Sequence, residues 1–506
     1  MGVAALASML AVGACGGDAA SPAREAASRG RAPGIVLVVV DTLRADAIPF
    51  EGAGGTRLPS LRAFAEGATA FTDAIAPAAW TPQSMPSLLS GLTPPHTGCE
   101  GMAETSVPEL PGAVVTLAER LREAGYATTG YTGGGWLADA RGIGQGFDTF
   151  VNGFDVLGPE ACVGEFARRR SPAAPFLLLL HTYAPHDPYG EKDPRAMASG
   201  GIPPVPPSPR LRRTIERLAA DPEARLEPAE LRDCAYDWFL DGPARPANAR
   251  MVLSGGGHGL GRALQRWQDG GYLTDPGGRS AIEARFRSAY EVGLGLTDAL
   301  LARTFGALER AKLPADTIVV VTSDHGEAFG EHGTLLHERR LHEEILRVPL
   351  LIRAPGRLPA GAVVAGTCGP VDLTPTLLEL VGLPLAAGEL DGRSLVGQAL
   401  GREGGHPVVS TADRYEVDGD RTRSVREITV RDERRVWSYV YDVQTGEPLG
   451  ESVVDLVEDP QGLDPRPAEA YAWPDGDFCR LVTACREEAR EPYGRAPAGP
   501  VCGGPR

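Results

Sequence analysis

Asp324 and His325 stand side by side in Thr322-Ser323-Asp324-His325-Gly326-Glu327, directly after the apolar run Ile318-Val319-Val320-Val321. A carboxylate oxygen and an imidazole nitrogen are two of the commonest metal ligands, and together they offer both to one cation. Taken alone, the pair reads as a polar turn with a satisfied histidine. A second stretch of the same design lies far upstream, where Ile35-Val36-Leu37-Val38-Val39-Val40 ends at Asp41. Two carboxylates converging on one site repel unless a cation sits between them. Asp41 by itself is as well read as a helix N-cap in the loop that follows.

Such side chains need elements to carry them. A continuous run of β-branched residues bounded by a charged, Gly-containing segment predicts a buried parallel strand ending in a loop. In open α/β sheets the crevice beyond the carboxyl ends of the strands is where ligands bind, so Asp41, Asp324 and His325 are expected at the lip of one site. Residues 176–180 form another apolar run, delivering His181 and then His186 in Ala184-Pro185-His186-Asp187-Pro188-Tyr189. His186 is expected to be exposed after a turn-forming Pro, where an imidazole could protonate a leaving oxygen. His181 reads first as a core histidine. Amphipathic helices are predicted over 58–67 with Ser60 at its start, over 116–125, over 286–308 and over 371–380. Beyond Gly401 the texture changes to alternating segments such as 434–443 and 453–456 around a Gln444-Thr445-Gly446 turn, which predicts a small antiparallel sheet over 401–490.

The chain has 506 residues and a formal charge of -16, which argues against a nucleic-acid partner, since such binders carry a basic footprint. An enzyme acting on an anionic ester must then gather positive charge locally, as a metal ion does. Residues 3–14 are apolar, too short to span a bilayer comfortably, and end in Val12-Gly13-Ala14-Cys15. This tetrapeptide resembles a bacterial lipobox. It implies a signal peptide over 1–15, a lipid anchor on Cys15, a tether over 16–33 and an exported cell-envelope lipoprotein. Of eight cysteines, Cys479, Cys485 and Cys502 cluster near the C-terminus and are the expected place for a disulfide. Residues 190–280 read as an insertion or lid over the site, and 491–506 as a loose tail.

The ordered set VVVDTLRAD, AEGATAFTDAIAPAAWTPQSMPSLLSG, TLAERLREAGYATTGY, FLLLLHTYAPHDPY, TIVVVTSDHGEAFGEHG, RVPLLIRAPG and VDLTPTLLELVG resembles the sulfatase family of the alkaline phosphatase superfamily across residues 34–400. The resemblance implies an α/β fold: an alkaline-phosphatase-like sandwich with a large mixed sheet between helices and a small C-terminal antiparallel β subdomain. It also implies one divalent metal (Mg, Mn, Zn or Ca) and hydrolysis of a sulfate or phosphate ester. By the same resemblance Asp41, Asp324 and His325 fall on metal-ligand positions and Thr81 falls on the nucleophile, which also touches the metal. His186 falls on the substrate-oxygen histidine, and His337 lies closest to a further substrate-binding position, with His181 beside them.

The chain departs from that pattern in two places. The family's Cys/Ser-x-Pro-x-Arg signature is replaced by Thr81, Gln83 and Met85, and a secondary alcohol cannot be oxidised to formylglycine, so none is expected. A Gly-Lys-Trp-His stretch is replaced by Gly133-Gly134-Gly135-Trp136-Leu137, without either cationic side chain. A threonine alkoxide would form an ordinary ester that water then attacks. Two rival readings stand beside the hydrolase: a transferase moving a phosphoalcohol group onto an envelope acceptor, and a non-catalytic surface protein that keeps the fold for binding.

Overall fold

The computed structural model describes residues 32–48, 57–100, 109–138, 141–186, 276–337, 340–418, 421–460, 462–468 and 476–490. Its centre is β1 (Ile35–Val40), fully buried along its length. Because side chains alternate across a strand, Ile35, Leu37 and Val39 enter one core while Val36, Val38 and Val40 enter the other. A strand that feeds two cores must be apolar at every position, which is why the run does not alternate.

The strands in chain order are β2 (Thr69–Ile75), β3 (Ala127–Thr132), β4 (Thr149–Asn152), β5 (Phe176–Thr182), β6 (Ile318–Thr322), β7 (Ala328–Phe329), β8 (Leu335–Leu336), β9 (Arg347–Arg353) and β10 (Val363–Val364). Eight of them form one sheet in the order β10-β2-β9-β6-β1-β5-β3-β4, while β7 and β8 pair separately. β9 runs antiparallel to both β2 and β6, so the sheet is mixed. β1 is flanked by β5 and β6, both parallel to it, with Val40 opposite Thr182 and Val39 opposite Thr322. That register brings the carboxyl ends of three strands into line.

Helices cover both faces. Thr81–Ser90, Leu117–Glu123 and Leu373–Leu380 pack Met85, Leu88, Leu117, Leu121, Leu373 and Leu377 into one core. Pro59–Ala65, Pro159–Arg169 and Pro276–Arg310 pack Leu61, Phe64, Phe166, Tyr290 and Leu301 into the other. The helix predicted over 116–125 is closed at its start by a capping box, Thr116 accepting from the Glu119 amide while Glu119 accepts from that of Thr116. Ser60 was expected at a helix start for the same reason, yet it lies inside the helix and bonds Asp298 through both its amide and its hydroxyl, each at 2.8 Å. A tertiary carboxylate has replaced the local cap. The helix predicted over 286–308 is longer, Pro276–Arg310.

A second sheet follows: β11 (Val408–Asp418), β12 (Arg421–Arg431), β13 (Arg435–Asp442), β14 (Pro448–Asp455) and β15 (Arg466–Pro467), antiparallel throughout. Trp437, Tyr439 and Val453 form a core of their own with Phe478 and Val482 of the helix Asp477–Arg490. Asp442 turns the β13–β14 hairpin by accepting from the Gln444 and Thr445 amides, and Gly446 supplies the positive φ of 66°. Cys479 is disulfide-bonded, whereas Cys485 is a buried thiol outside any disulfide. Among the described residues no helix is long and apolar enough to cross a membrane. Cys15, Cys502, the signal and tether as far as residue 31, the tail and residues 187–275 lie outside the described residues.

Candidate active site

Asp41 follows β1, and its amide donates to Thr182 O at the end of β5 (3.0 Å). Asp324 and His325 follow β6. Ser323 ties the two loops together, its hydroxyl accepting from the Leu43 amide (3.0 Å) and donating to His325 O (2.6 Å). Gly326 is required here, because a Cβ would meet Glu344 O at 2.3 Å. Thr81 opens the helix Thr81–Ser90, which Gly91 ends in the left-handed conformation. Ser84, one turn on, donates to Asp324 O (2.5 Å) and so fastens that helix to the loop that carries Asp324 and His325.

Thr81 Oγ1 lies 3.0 Å from Asp41 Oδ2 and 3.2 Å from His325 Nε2. Asp41, Asp324 and His325 are buried, and one ligand atom from each lies within 4.8 Å of the others. His325 Nδ1 is 3.0 Å from Gly326 O. A carbonyl only accepts, so Nδ1 carries the proton and Nε2 keeps its lone pair toward the cluster. Asp41 Oδ1 and Asp324 Oδ2 are buried with no hydrogen-bond partner. Burial raises the pKa of both carboxyls. At Asp41 the imidazoles of His186, His181 and His325 overcome burial and pull the value down, whereas at Asp324 the Asp41 charge adds to it and holds the value up. Two buried carboxylates with vacant lone pairs, one ionised and the other pushed toward protonation, are what a divalent cation resolves. The residues present fit a metal ion.

Around this cluster stands a wall of rings. His337 packs against His325 at 4.5 Å between centroids and against His186 at 4.9 Å, while Tyr183 meets His181 at 4.7 Å and His186 at 5.5 Å. His337 Nδ1 donates to Glu327 Oε1 (3.0 Å), which fixes the orientation of the imidazole. His186, expected to be exposed, is only 5% accessible because these rings cover it. His181, expected in the core, is fully buried, yet its Nε2 lies 3.6 Å from Asp41 Oδ2 and neither ring nitrogen has a hydrogen-bond partner. It faces the carboxylates. All seven residues singled out in the sequence therefore gather at one end of the sheet.

Tyr183, Glu327 and Trp80 were not singled out. Tyr183 carries a pKa raised by burial and then by Asp41 and Asp324, so it stays a neutral phenol beside them. Trp80, next to Thr81, meets Trp136 edge-on at 5.6 Å. Tyr183 also fills the space over the glycine run. A Cβ on Gly133 would lie 2.4 Å from the Tyr183 ring, and Gly134 and Gly135 have φ of 82° and 62°. Met85, where the family keeps an arginine, is completely buried in the core. Of these, Glu327 had a sequence signal, its position directly after the His325-Gly326 pair.

A family model described as Sulfatase matches residues 33–158 and 163–383, and one described as N-sulphoglucosamine sulphohydrolase, C-terminal, matches 330–465. A choline-sulfatase of Rhizobium meliloti (strain 1021) is 32% identical over 186 residues, 35% of this chain and 34% of that protein. The match thus spans about a third of that relative's length. Among solved structures, BT4656 in complex with its substrate D-glucosamine-2-N,6-O-disulfate aligns over 92% of this chain and 98% of its own, with a TM-score of 0.61 and 17% identity. The phosphonate monoester hydrolase of Agrobacterium radiobacter aligns over 91% and 96%, with a TM-score of 0.57 and 20% identity. At such identities the two structures show a shared fold.

Proposed function

The chain belongs to the sulfatase family, and from that premise we propose that it hydrolyses a sulfate or phosphate ester, with Thr81 as nucleophile. The observation that carries this reading is the Thr81 hydroxyl, held between Asp41 Oδ2 and His325 Nε2 at the N-terminus of a helix. A divalent cation bound by Asp41, Asp324 and His325 would lower the pKa of that hydroxyl and polarise the ester. Mixed oxygen and nitrogen ligands favour Mn, Zn or Mg over an all-oxygen calcium cage.

Thr81 Oγ1 attacks the sulfur or phosphorus, and its proton leaves along the hydrogen bond to Asp41. The bond to the leaving alcohol breaks, and His186 gives that oxygen a proton. His337, oriented by Glu327, holds a non-bridging oxygen. Water, giving a proton to His186, then attacks the threonine ester, and Asp41 returns its proton to Thr81 Oγ1 as the inorganic acid leaves. The helix N-terminus favours the anionic group through both steps. The lipobox-like Val12–Cys15 stretch supports an exported, lipid-anchored location for this chemistry, with the lipid on Cys15. An unmodified Met1 in mature protein isolated from the membrane fraction would remove that part of the reading.

The test is turnover of an aryl sulfate, an aryl phosphomonoester and an aryl phosphodiester by purified protein. We expect hydrolysis of at least one, loss with a chelator, and recovery when Mg, Mn, Zn or Ca is returned singly. Inert protein under all four metals would leave a binding protein, and a modified acceptor in place of free acid would make it a transferase.

A further inference from the structure

Among the described residues, a side-chain hydrogen bond joins the C-terminal sheet to the helix Thr81–Ser90. Gln83, third residue of Thr81–Ser90 and only 1% exposed, stands where the family signature has proline. Its Nε2 donates to Asp413 Oδ2 on β11 (3.1 Å). Carboxylate oxygens only accept, so the amide nitrogen is the end that faces Asp413. Asp413 is held in turn by Arg426 of β12, Nε to Oδ1 at 2.7 Å and Nη2 to Oδ2 at 3.2 Å. Arg426 Nη1 reaches Glu100 at 2.6 Å. β11 also grips the segment leading into Thr81, through Ser410 Oγ to Ala76 O (2.7 Å) and Thr411 N to Pro77 O (2.9 Å).

The helix needs such a grip. Pro86 has no N–H to give the Pro82 carbonyl, so the first turn lacks one of its own bonds. The Thr81 hydroxyl projects from that turn, and its two contacts at 3.0 and 3.2 Å hold only while the turn keeps its place. We propose that Gln83 is a positioning residue: bonded to Asp413, it lets the C-terminal sheet set the position of the Thr81 hydroxyl against Asp41 and His325. The effect on turnover rests on Thr81 being the nucleophile, whereas the positional claim does not.

Two variants separate positioning from mere support. Gln83→Met fills the same space and leaves the Asp413–Arg426 pair intact, but removes the bond. Asp413→Asn keeps an acceptor for Gln83 and removes the charge opposite Arg426. We expect Gln83→Met to lower kcat about 100-fold, the scale for a misplaced reacting group, with KM and Tm near those of the unaltered protein. Asp413→Asn is expected to lower Tm with kcat kept within about threefold, because the charge pair is lost while the positioning bond survives. A readout apart from turnover is the visible spectrum of the cobalt-substituted protein: Gln83→Met should shift it toward that of Thr81→Ala, and Asp413→Asn should not. Loss of kcat that follows loss of Tm across the two variants, or a Gln83→Met spectrum identical to that of the unaltered protein, overturns the proposal. If the unaltered protein cleaves no ester, the hydrolase reading fails while the cobalt spectra still decide this one.

Discussion

Arg431, in the C-terminal sheet, and Asp41, at the end of β1, are both almost wholly buried. Arg431 gives Nε and Nη2 to Glu343 at 2.7 and 3.0 Å and Nη1 to Asp73 at 2.7 Å, and Asp73 also accepts from Thr367 at 2.6 Å. Asp41 and Asp324 each keep an oxygen without a partner. Burial is the same in the two regions, but the hydrogen bonding is opposite. Where charge serves to join two sheets, complementary side chains surround it. At the end of the large sheet the lone pairs are left open, an arrangement that costs stability and that a bound cation would relieve.

The sharpest test of this contrast is at the open end. Thr81→Ala should cut turnover by about 10⁴-fold or more, as loss of a nucleophile does, with metal content by elemental analysis unchanged. Turnover close to that of the unaltered protein would mean that the open lone pairs serve something other than this hydroxyl. At the closed end, Arg431→Met should cost about 3–5 kcal/mol in denaturant unfolding, because it strands Asp73 and Glu343, while kcat of the folded protein holds. A cost below about 1 kcal/mol would erase the distinction between the regions.

Glu331 gives a smaller, pH-dependent effect. Burial would raise its pKa, but the Arg44 guanidinium at 2.7 Å overrides that and brings it from 4.5 down to about 2. The folded state therefore binds fewer protons than the unfolded one between these values. Its contribution is complete above about pH 4.5 and is lost as pH falls through about 2, so Glu331→Gln should flatten that part of the stability curve. Unfolding midpoints measured across the window check this, and an unchanged slope would discard it. Least of all, Arg434→Ala should cost about 0.5 kcal/mol by the same unfolding assay, since the Arg434 side chain is 59% exposed in its pair with Asp455.

Much of the fold was legible because a strand buried on both faces has a simple signature. The runs at β1, β5 and β6 gave the strands, and the carboxylates behind β1 and β6 gave the edge at which ligands gather. What was not legible depends on pairs with no periodicity. Gln83 and Asp413 are 330 positions apart, and neither residue type announces the other. His181 was read as core because it ends an apolar run, yet it closes on Asp41. His186 was read as exposed because it follows a turn, yet Tyr183 and His337 roof it over. The Ser60 cap failed for a similar reason, since the distant Asp298 carboxylate accepts from the Ser60 and Leu61 amides as well as from the Ser60 hydroxyl and so takes the place of a local cap.

Tyr183 and the three glycines beneath it also bear on how this chain could change. A lysine beside the tryptophan would enter at Gly135, whose φ of 62° is one that L-residues seldom adopt, whereas the Tyr183 phenol stands 3.6 Å from that Cβ, an ordinary contact. A cation at that position is kept out by the path of the loop, so regaining one calls for a rerouted backbone and not for a smaller ring.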